Sequence, residues 1–115
     1  MPAAARLRSR EEFTAVVRTG RRASSATVVV HALANPADSS ESPRVGFVVG
    51  RAVGGAVLRN RARRRLRHLM RDRLAGLPRA ARVVVRALAP AGAAPARVLA
   101  ADLDRCLAQA MGPPR

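Results

Sequence analysis

Arg44-Val45-Gly46-Phe47-Val48-Val49-Gly50 and Arg82-Val83-Val84-Val85-Arg86-Ala87-Leu88 are two short runs rich in valine. Each has the length and residue type of a β-strand. Between them, residues 56–75 follow a helical period. Leu58, Ala62, Leu66 and Leu69 recur at i, i+4, i+8 and i+11, with Met70 and Leu74 beside them. Gly54-Gly55 breaks the chain before this stretch. Gly76-Leu77-Pro78 reads as a glycine C-cap, an apolar contact residue and a proline stop. Strand, helix, strand is therefore the centre of the fold.

Upstream, Ser9-Arg10-Glu11-Glu12 reads as a capping box, with the Ser9 hydroxyl taking the Glu12 amide while Glu12 reaches back. Phe13, Val16 and Val17 follow at helical spacing and Gly20 ends the element, which predicts a helix over 10–19. Residues 21–34 are rich in β-branched side chains and read as two short strand pieces joined near Ser24-Ser25. Residues 35–43 are a loop by composition, and a loop between two strands suggests an antiparallel hairpin. Downstream, 89–94 reads as a linker. A last helix from Pro95 carries Leu99, Leu103, Cys106, Leu107 and Ala110 on one face and ends at Gly112-Pro113-Pro114, leaving 113–115 as a disordered tail. The expected architecture is an α+β two-layer sandwich in the order α-β-β-β-α-β-α. At 115 residues it forms one domain, 1–115.

The apolar fraction is 49%, but there is no Ile, Trp or Tyr and only two Phe, so Val and Leu must build the core with Ala filling in. Charge is the dominant feature. The chain has 22 Lys+Arg, every one of them arginine, against 7 acids, a formal net charge of +15. Such a balance implies a polyanionic partner. No stretch approaches the ~20 apolar residues of a membrane span. The first 13 residues carry arginines but no apolar core of a secretory signal. One cysteine, Cys106, excludes a disulfide framework and points to a reducing compartment, the cytoplasm. With His31 and His68 it makes no recognisable zinc site.

Between Arg59 and Arg73 stand eight arginines, opposed only by Asp72. At ~100° per residue, Leu58, Ala62, Leu66, Leu69, Met70, Leu74 and Leu77 share one arc of the helix. Arg61, Arg64, Arg65, Arg67, His68 and Arg71 share the opposite arc. Arg59 and Arg63 lie at the apolar edge and Arg73 within it, so these three must snorkel or find a cap. A solvated charged face is the ordinary reading of a polar arc, but this one carries a single sign. Like charges at i, i+3 and i, i+4 repel by a few tenths of a kcal/mol per pair. A bound polyanion compensates that repulsion. A membrane-surface helix would carry Trp or Phe on its apolar face, and this one carries neither. The scarcity of aromatic rings disfavours modules that stack bases on a ring platform. Arginine reading of backbone and shape remains.

Gly54-Gly55-Ala56-Val57-Leu58-Arg59-Asn60-Arg61-Ala62-Arg63-Arg64 resembles the signature of the bacterial ribonuclease P protein subunit, which runs Gly-Asn-Ala-Val-x-Arg-Asn-Arg-x-Lys-Arg. Arg6-Leu7-Arg8-Ser9 with Glu12-Phe13 and Gly20-Arg21-Arg22 is similar to the family's opening. Arg44 to Val49 is similar to its strand before the motif, and Val83-Val84-Val85-Arg86 to its last strand. The chain departs from the pattern where the family usually has Ser-Lys-Lys, here Gly50-Arg51-Ala52. It also has Gly55 for the family's Asn, Arg63 for its Lys, and Val17 and His31 where aromatics are common.

The resemblance implies a fold with a left-handed βαβ crossover around Arg59, against the usual right-handed rule. It implies a protein that assists a catalytic RNA, with magnesium ions held through the RNA performing phosphodiester hydrolysis. The partners it implies are that RNA and precursor tRNA, whose 5′ leader lies in a cleft between the first helix and the sheet. Arg51, Arg59, Asn60, Arg61, Arg63, Arg64, Arg67 and Arg71 are the implied RNA-binding residues, and Phe13, Arg18 and His31 the cleft residues. Asn60 has a second reading as a cap at the helix start, Phe13 as plain core and His31 as an ordinary strand residue. The rivals are a structural RNA binder of ribosomal type, an arginine-rich DNA-compacting protein and an autonomous nuclease. Against the last, the seven acids are scattered and neither histidine has a carboxylate nearby in sequence.

Residues 44–73 hold ten arginines and one acid. That repulsion opposes the compact state, and an anion bound to the folded arginine face offsets it. Millimolar sulfate is expected to raise the melting temperature, followed by circular dichroism, well above chloride at matched ionic strength, because screening alone lacks the bidentate contact. Superimposable melts would refute specific anion sites.

Overall fold

In a computed structural model, residues 5–34 and 42–111 are described. Most of the expected loop, 35–41, and the expected terminator and tail, 112–115, lie outside them. The elements run α1 (Arg10–Thr19), β1 (Arg21–Ser24), β2 (Val28–Leu33), β3 (Arg44–Val48), α2 (Ala56–Arg73), β4 (Arg82–Ala87) and α3 (Ala96–Met111). The α+β class and the order α-β-β-β-α-β-α are those expected. No described helix is long and apolar enough to cross a membrane.

The four strands form one mixed sheet in the order β1-β2-β4-β3. β1 and β2 make an antiparallel hairpin through the turn at Ser25, whose hydroxyl bonds the Val28 carbonyl at 2.9 Å. The hairpin expected between β2 and β3 is not there. β4 lies between them, antiparallel to β2 and parallel to β3. The reason is burial. Val28-Val29-Val30 and Val83-Val84-Val85 are buried along their whole length, so β2 and β4 need cover on both faces and take the two central places. β3, with Gly46 and a half-exposed Phe47, takes an edge. β3, α2 and β4 are thus a βαβ unit with adjacent parallel strands.

Side chains alternate across the strands. Val28, Val30, Val45, Val83 and Val85 face the main core with Ala62, Leu66 and Met70 of α2 and Leu99, Leu103, Cys106 and Leu107 of α3. On the other face, Val84 meets Leu7 and Val16, with Phe13, Val17, Leu33 and Val48 packed around them. The sheet and α2–α3 form the principal pair of layers, and α1 covers part of the second face. Two glycines allow these approaches. A Cβ on Gly20 would lie 2.4 Å from the Val16 carbonyl and 2.8 Å from that of Ala32, and one on Gly46 would lie 2.3 Å from the Phe13 ring.

Three local expectations change. α2 ends in a 3₁₀ turn over Leu74–Gly76, closed by a Leu77 amide to Leu74 carbonyl bond of 3.1 Å, and Gly76 has no left-handed backbone. The helix tightens its last turn rather than using a glycine cap. The linker at 89–94 is packed structure. Ala89–Gly92 is a 3₁₀ turn with Ala91 and Gly92 buried, Gly92 facing Val53 and Leu58. Its small residues are what permit that contact. In the capping box, Ser9 accepts the Glu12 amide at 3.1 Å as expected, but Glu12 takes the amide of Arg8 at 2.6 Å.

The second carboxylate oxygen of Glu12 pairs with Arg44 and Arg82, each at 3.3 Å, tying α1 to the starts of two strands. Partial burial pushes the Glu12 pKa up, but the Arg8 amide and the charges of Arg44 and Arg82 outweigh it and hold the carboxyl below its ordinary value. A group with a depressed folded pKa stabilises above its unfolded pKa, and the effect vanishes as pH falls through the folded value. Glu12→Gln is therefore expected to cost about 1–2 kcal/mol at pH 7, with the deficit shrinking steadily as the solution is acidified. Denaturant melts of both proteins over a descending pH series check this; a deficit that does not change with pH would refute the ionic tie.

Candidate nucleic-acid interface

Gly54 has a φ of 135°, a conformation open to glycine, and turns the chain into α2. Gly55 is the N-cap and makes no side-chain bond. Asn60 is therefore not a cap. It lies in the second turn, exposed, and its Oδ1 accepts a 3.3 Å bond from Arg63 Nη1.

The helix sorts its arginines into three sectors. Asn60, Arg61, Arg64, His68 and Arg71 are all exposed and recur at i, i+3 and i+4 spacing, which aligns them in one outward stripe. Arg71 donates to His68 Nδ1 at 3.0 Å. Arg63 and Arg67 turn to one flank, where they line a recess along the outer edge of β3 with Arg6, Leu7, Phe13, Val45, Gly46 and Phe47. Arg65, expected on the outward arc, instead lies half-buried on the other flank. Its Nη1 donates to the Ala94 carbonyl at 2.7 Å, because the packed 89–92 turn brings the chain that follows it within reach. Arg73, inside the apolar arc, finds the cap it needs. Its Nε and Nη2 grip Asp104 of α3 at 2.5 and 3.0 Å, and its Nη1 reaches the Leu69 carbonyl at 2.9 Å. That hydrogen bond is the main cause holding the Asp104 carboxyl below its ordinary pKa. Arg59 is half-buried, and its Nε is enclosed without a hydrogen-bond partner among the described residues. Arg51 stands exposed on the 3₁₀ turn Arg51–Val53 before the helix.

The cleft residues divide. Arg22, His31, Val84 and Gly46 stand in one register row across all four strands, on the face that α1 partly covers. Phe13 rests its ring on Gly46 at one end of that row, so it packs and lines the recess at once. His31 lies two strands away, roughly 10 Å. It is buried, its Nδ1 has no partner among the described residues, and burial first, then Arg22 and Arg86, lower its pKa, so it is neutral at pH 7. Arg18 is exposed on α1, ~140° around the helix from Phe13, and does not join them. Sequence reasoning passed over Arg6, Arg22, Phe47 and Arg86 at these surfaces. Only the β-bridge between Arg6 and Val45 and the strand register bring them in. Among the described residues no three His, Cys, Asp or Glu side chains gather to hold a metal.

The geometry is that of a binding surface for a polyanion, and the comparisons agree. The sequence profile of the Ribonuclease P family matches residues 1–111. The ribonuclease P protein component of a Nocardioides species is 53% identical over 107 residues, covering 93% of this chain and 92% of the relative. That of Streptomyces avermitilis is 51% identical over 118 residues, covering 97% and 96%. Among solved structures, the RNase P protein of Staphylococcus aureus superposes with a TM-score of 0.78 at 23% identity, over 94% of this chain and 98% of the other. That of Thermotoga maritima gives 0.72 at 24%, over 87% and 92%. By sequence along nearly its whole length, and by fold, the chain belongs to the ribonuclease P protein family, which serves tRNA 5′ maturation.

Proposed function

We propose that this chain, acting as a single RNA-binding domain, binds the catalytic RNA of ribonuclease P through α2 and holds the 5′ leader of precursor tRNA on the sheet face beside α1. The observation that carries the reading is the outward stripe of α2, exposed and free of acids until Asp72. Arg61, Arg64 and Arg71 meet phosphates there, and Asn60 orients Arg63 toward the same RNA. Arg59, with its enclosed Nε, gains a partner in the complex, which relieves the cost of a buried donor without an acceptor. Arg67 and Arg63 reach RNA from the recess beside Phe13, and Arg51 adds a cation ahead of the helix.

On the sheet face, neutral His31 offers a hydrogen-bonding nitrogen near Arg22 and Arg86 and next to Val84, with Phe13 at the other end of the row. Arg18 meets leader phosphates from the outer side of α1. Magnesium belongs to the RNA, where it supplies Lewis-acid chemistry at the scissile phosphate. The chain's part is to neutralise phosphates and position the substrate. It works in the cytoplasm. Family membership disfavours the ribosomal-type alternative.

The protein alone is expected to cleave nothing. With its cognate RNA it should lower the magnesium and precursor tRNA concentrations needed for leader removal, measured by gel assay. Cleavage by RNA-free protein that survives nuclease controls would refute the division of labour.

Arg61→Ala and Arg64→Ala should each weaken binding to the RNA subunit without lowering the melting temperature. Each lost phosphate contact should reduce the log–log salt slope by about 0.7–0.9. Leu66→Ala, fully buried, should instead cost about 2–5 kcal/mol of stability. Unchanged slopes in the arginine variants would refute the assignment.

A further inference from the structure

Val57 is 81% exposed, the one large apolar side chain left exposed among the described residues. It sits in the first turn of α2. Helical spacing places it at the head of the outward stripe, with Asn60 at i+3, Arg61 at i+4, Arg64 at i+7, His68 at i+11 and Arg71 at i+14. Nothing in the fold calls for valine there. It belongs to neither apolar cluster. A β-branched residue is a poorer helix former than alanine, so alanine would serve the helix at least as well.

We propose that Val57 is an apolar anchor that packs against the base or ribose face of a nucleotide in the catalytic RNA. The inference rests on the proposed function. The occupant follows from charge. The side chain stands among exposed arginines, and the one acid of the stripe, Asp72, lies fifteen residues on at the far end of the helix, so whatever covers it must be polyanionic and must also present an apolar surface. RNA offers both. Its unstacked bases and its sugars are the apolar faces proteins use, and side chains reach them while arginines hold the flanking phosphates. The contact adds affinity that does not depend on counterion release. Arg61 and Arg64 supply salt-sensitive attraction, and Val57 supplies a salt-insensitive contact that fixes the register of the helix on the RNA.

The experiment measures binding of the cognate RNA subunit over a range of salt for wild type, Val57→Ala, Val57→Ile and Arg61→Ala. Each free protein is also melted. Val57→Ala is expected to weaken binding about fivefold at every salt concentration, with an unchanged slope. Its melting temperature should be unchanged or higher, and Val57→Ile should bind as wild type. Arg61→Ala should change the slope. If Val57→Ala binds as wild type while Arg61→Ala is impaired, the anchor is refuted and the RNA interface stands. If neither variant is impaired, the stripe is not the RNA interface. A lowered melting temperature in Val57→Ala that accounts for the lost binding would also overturn the anchor.

Discussion

Burial of β4 on both faces is the constraint from which the rest of the molecule follows. Val83, Val84 and Val85 are fully enclosed, and a strand of that kind cannot sit at an edge. It must have a neighbour on each side and a helix layer above and below. β2 supplies one neighbour, antiparallel, and β3 the other, parallel. A parallel neighbour cannot be joined by a tight turn, because the chain must return along the whole sheet. That return is α2. The arginine helix thus does structural work as the crossover, and the apolar arc that docks it also fixes which arginines point outward.

This arrangement explains how so basic a helix persists. Ala62, Leu66 and Met70 are wholly buried, which secures the helix along its length. Arg73, which geometry forces toward the core, is neutralised by Asp104, and Arg65 on the flank is held by a carbonyl of the next connection, while the Nε of half-buried Arg59 keeps no partner among the described residues. The outward ones have no such partners among the described residues, apart from the contact between Arg71 and His68. Internal compensation thus goes to Arg73 and Arg65, which tie the helix to its neighbours. Repulsion is left standing on the face that meets phosphate.

Much of this was legible in the sequence. The helix of 10–19, the strand–helix–strand centre and the apolar stripe of α3 were set by periodicity and by breakers, which are local signals. The arcs of α2 were legible for the same reason. Strand order was not, because pairing depends on which strand needs double cover. The unbroken valine runs at 28–30 and 83–85 carried that information, but the loop between β2 and β3 suggested a hairpin more loudly. Arg65 and the 89–92 turn were misplaced because their partners are far away in sequence or depend on small residues that resemble a linker, and of the two readings of Asn60 only the cap is ruled out. Val57 was hidden in plain view. Reading arcs by charge and apolarity separates core from surface but does not flag an apolar residue on the wrong side. The recess beside Phe13 could not be found from spacing at all, since the register at β3 and the Arg6–Val45 bridge create it.

That bridge has a bearing on how the edge of the sheet is shielded. β3 is an outer strand, and an outer strand offers unpaired backbone groups to any other chain that can lie alongside. Here the segment before α1 occupies part of that edge, with the Leu7 amide bonded to the Val45 carbonyl at 3.2 Å. Glu12 holds the same segment and β3 together through Arg8 and Arg44. A chain shortened past Leu7 would keep α1 and the arginine helix yet uncover the strand. Its fate at high concentration would then be decided by edge-to-edge self-assembly rather than by the stability of its core.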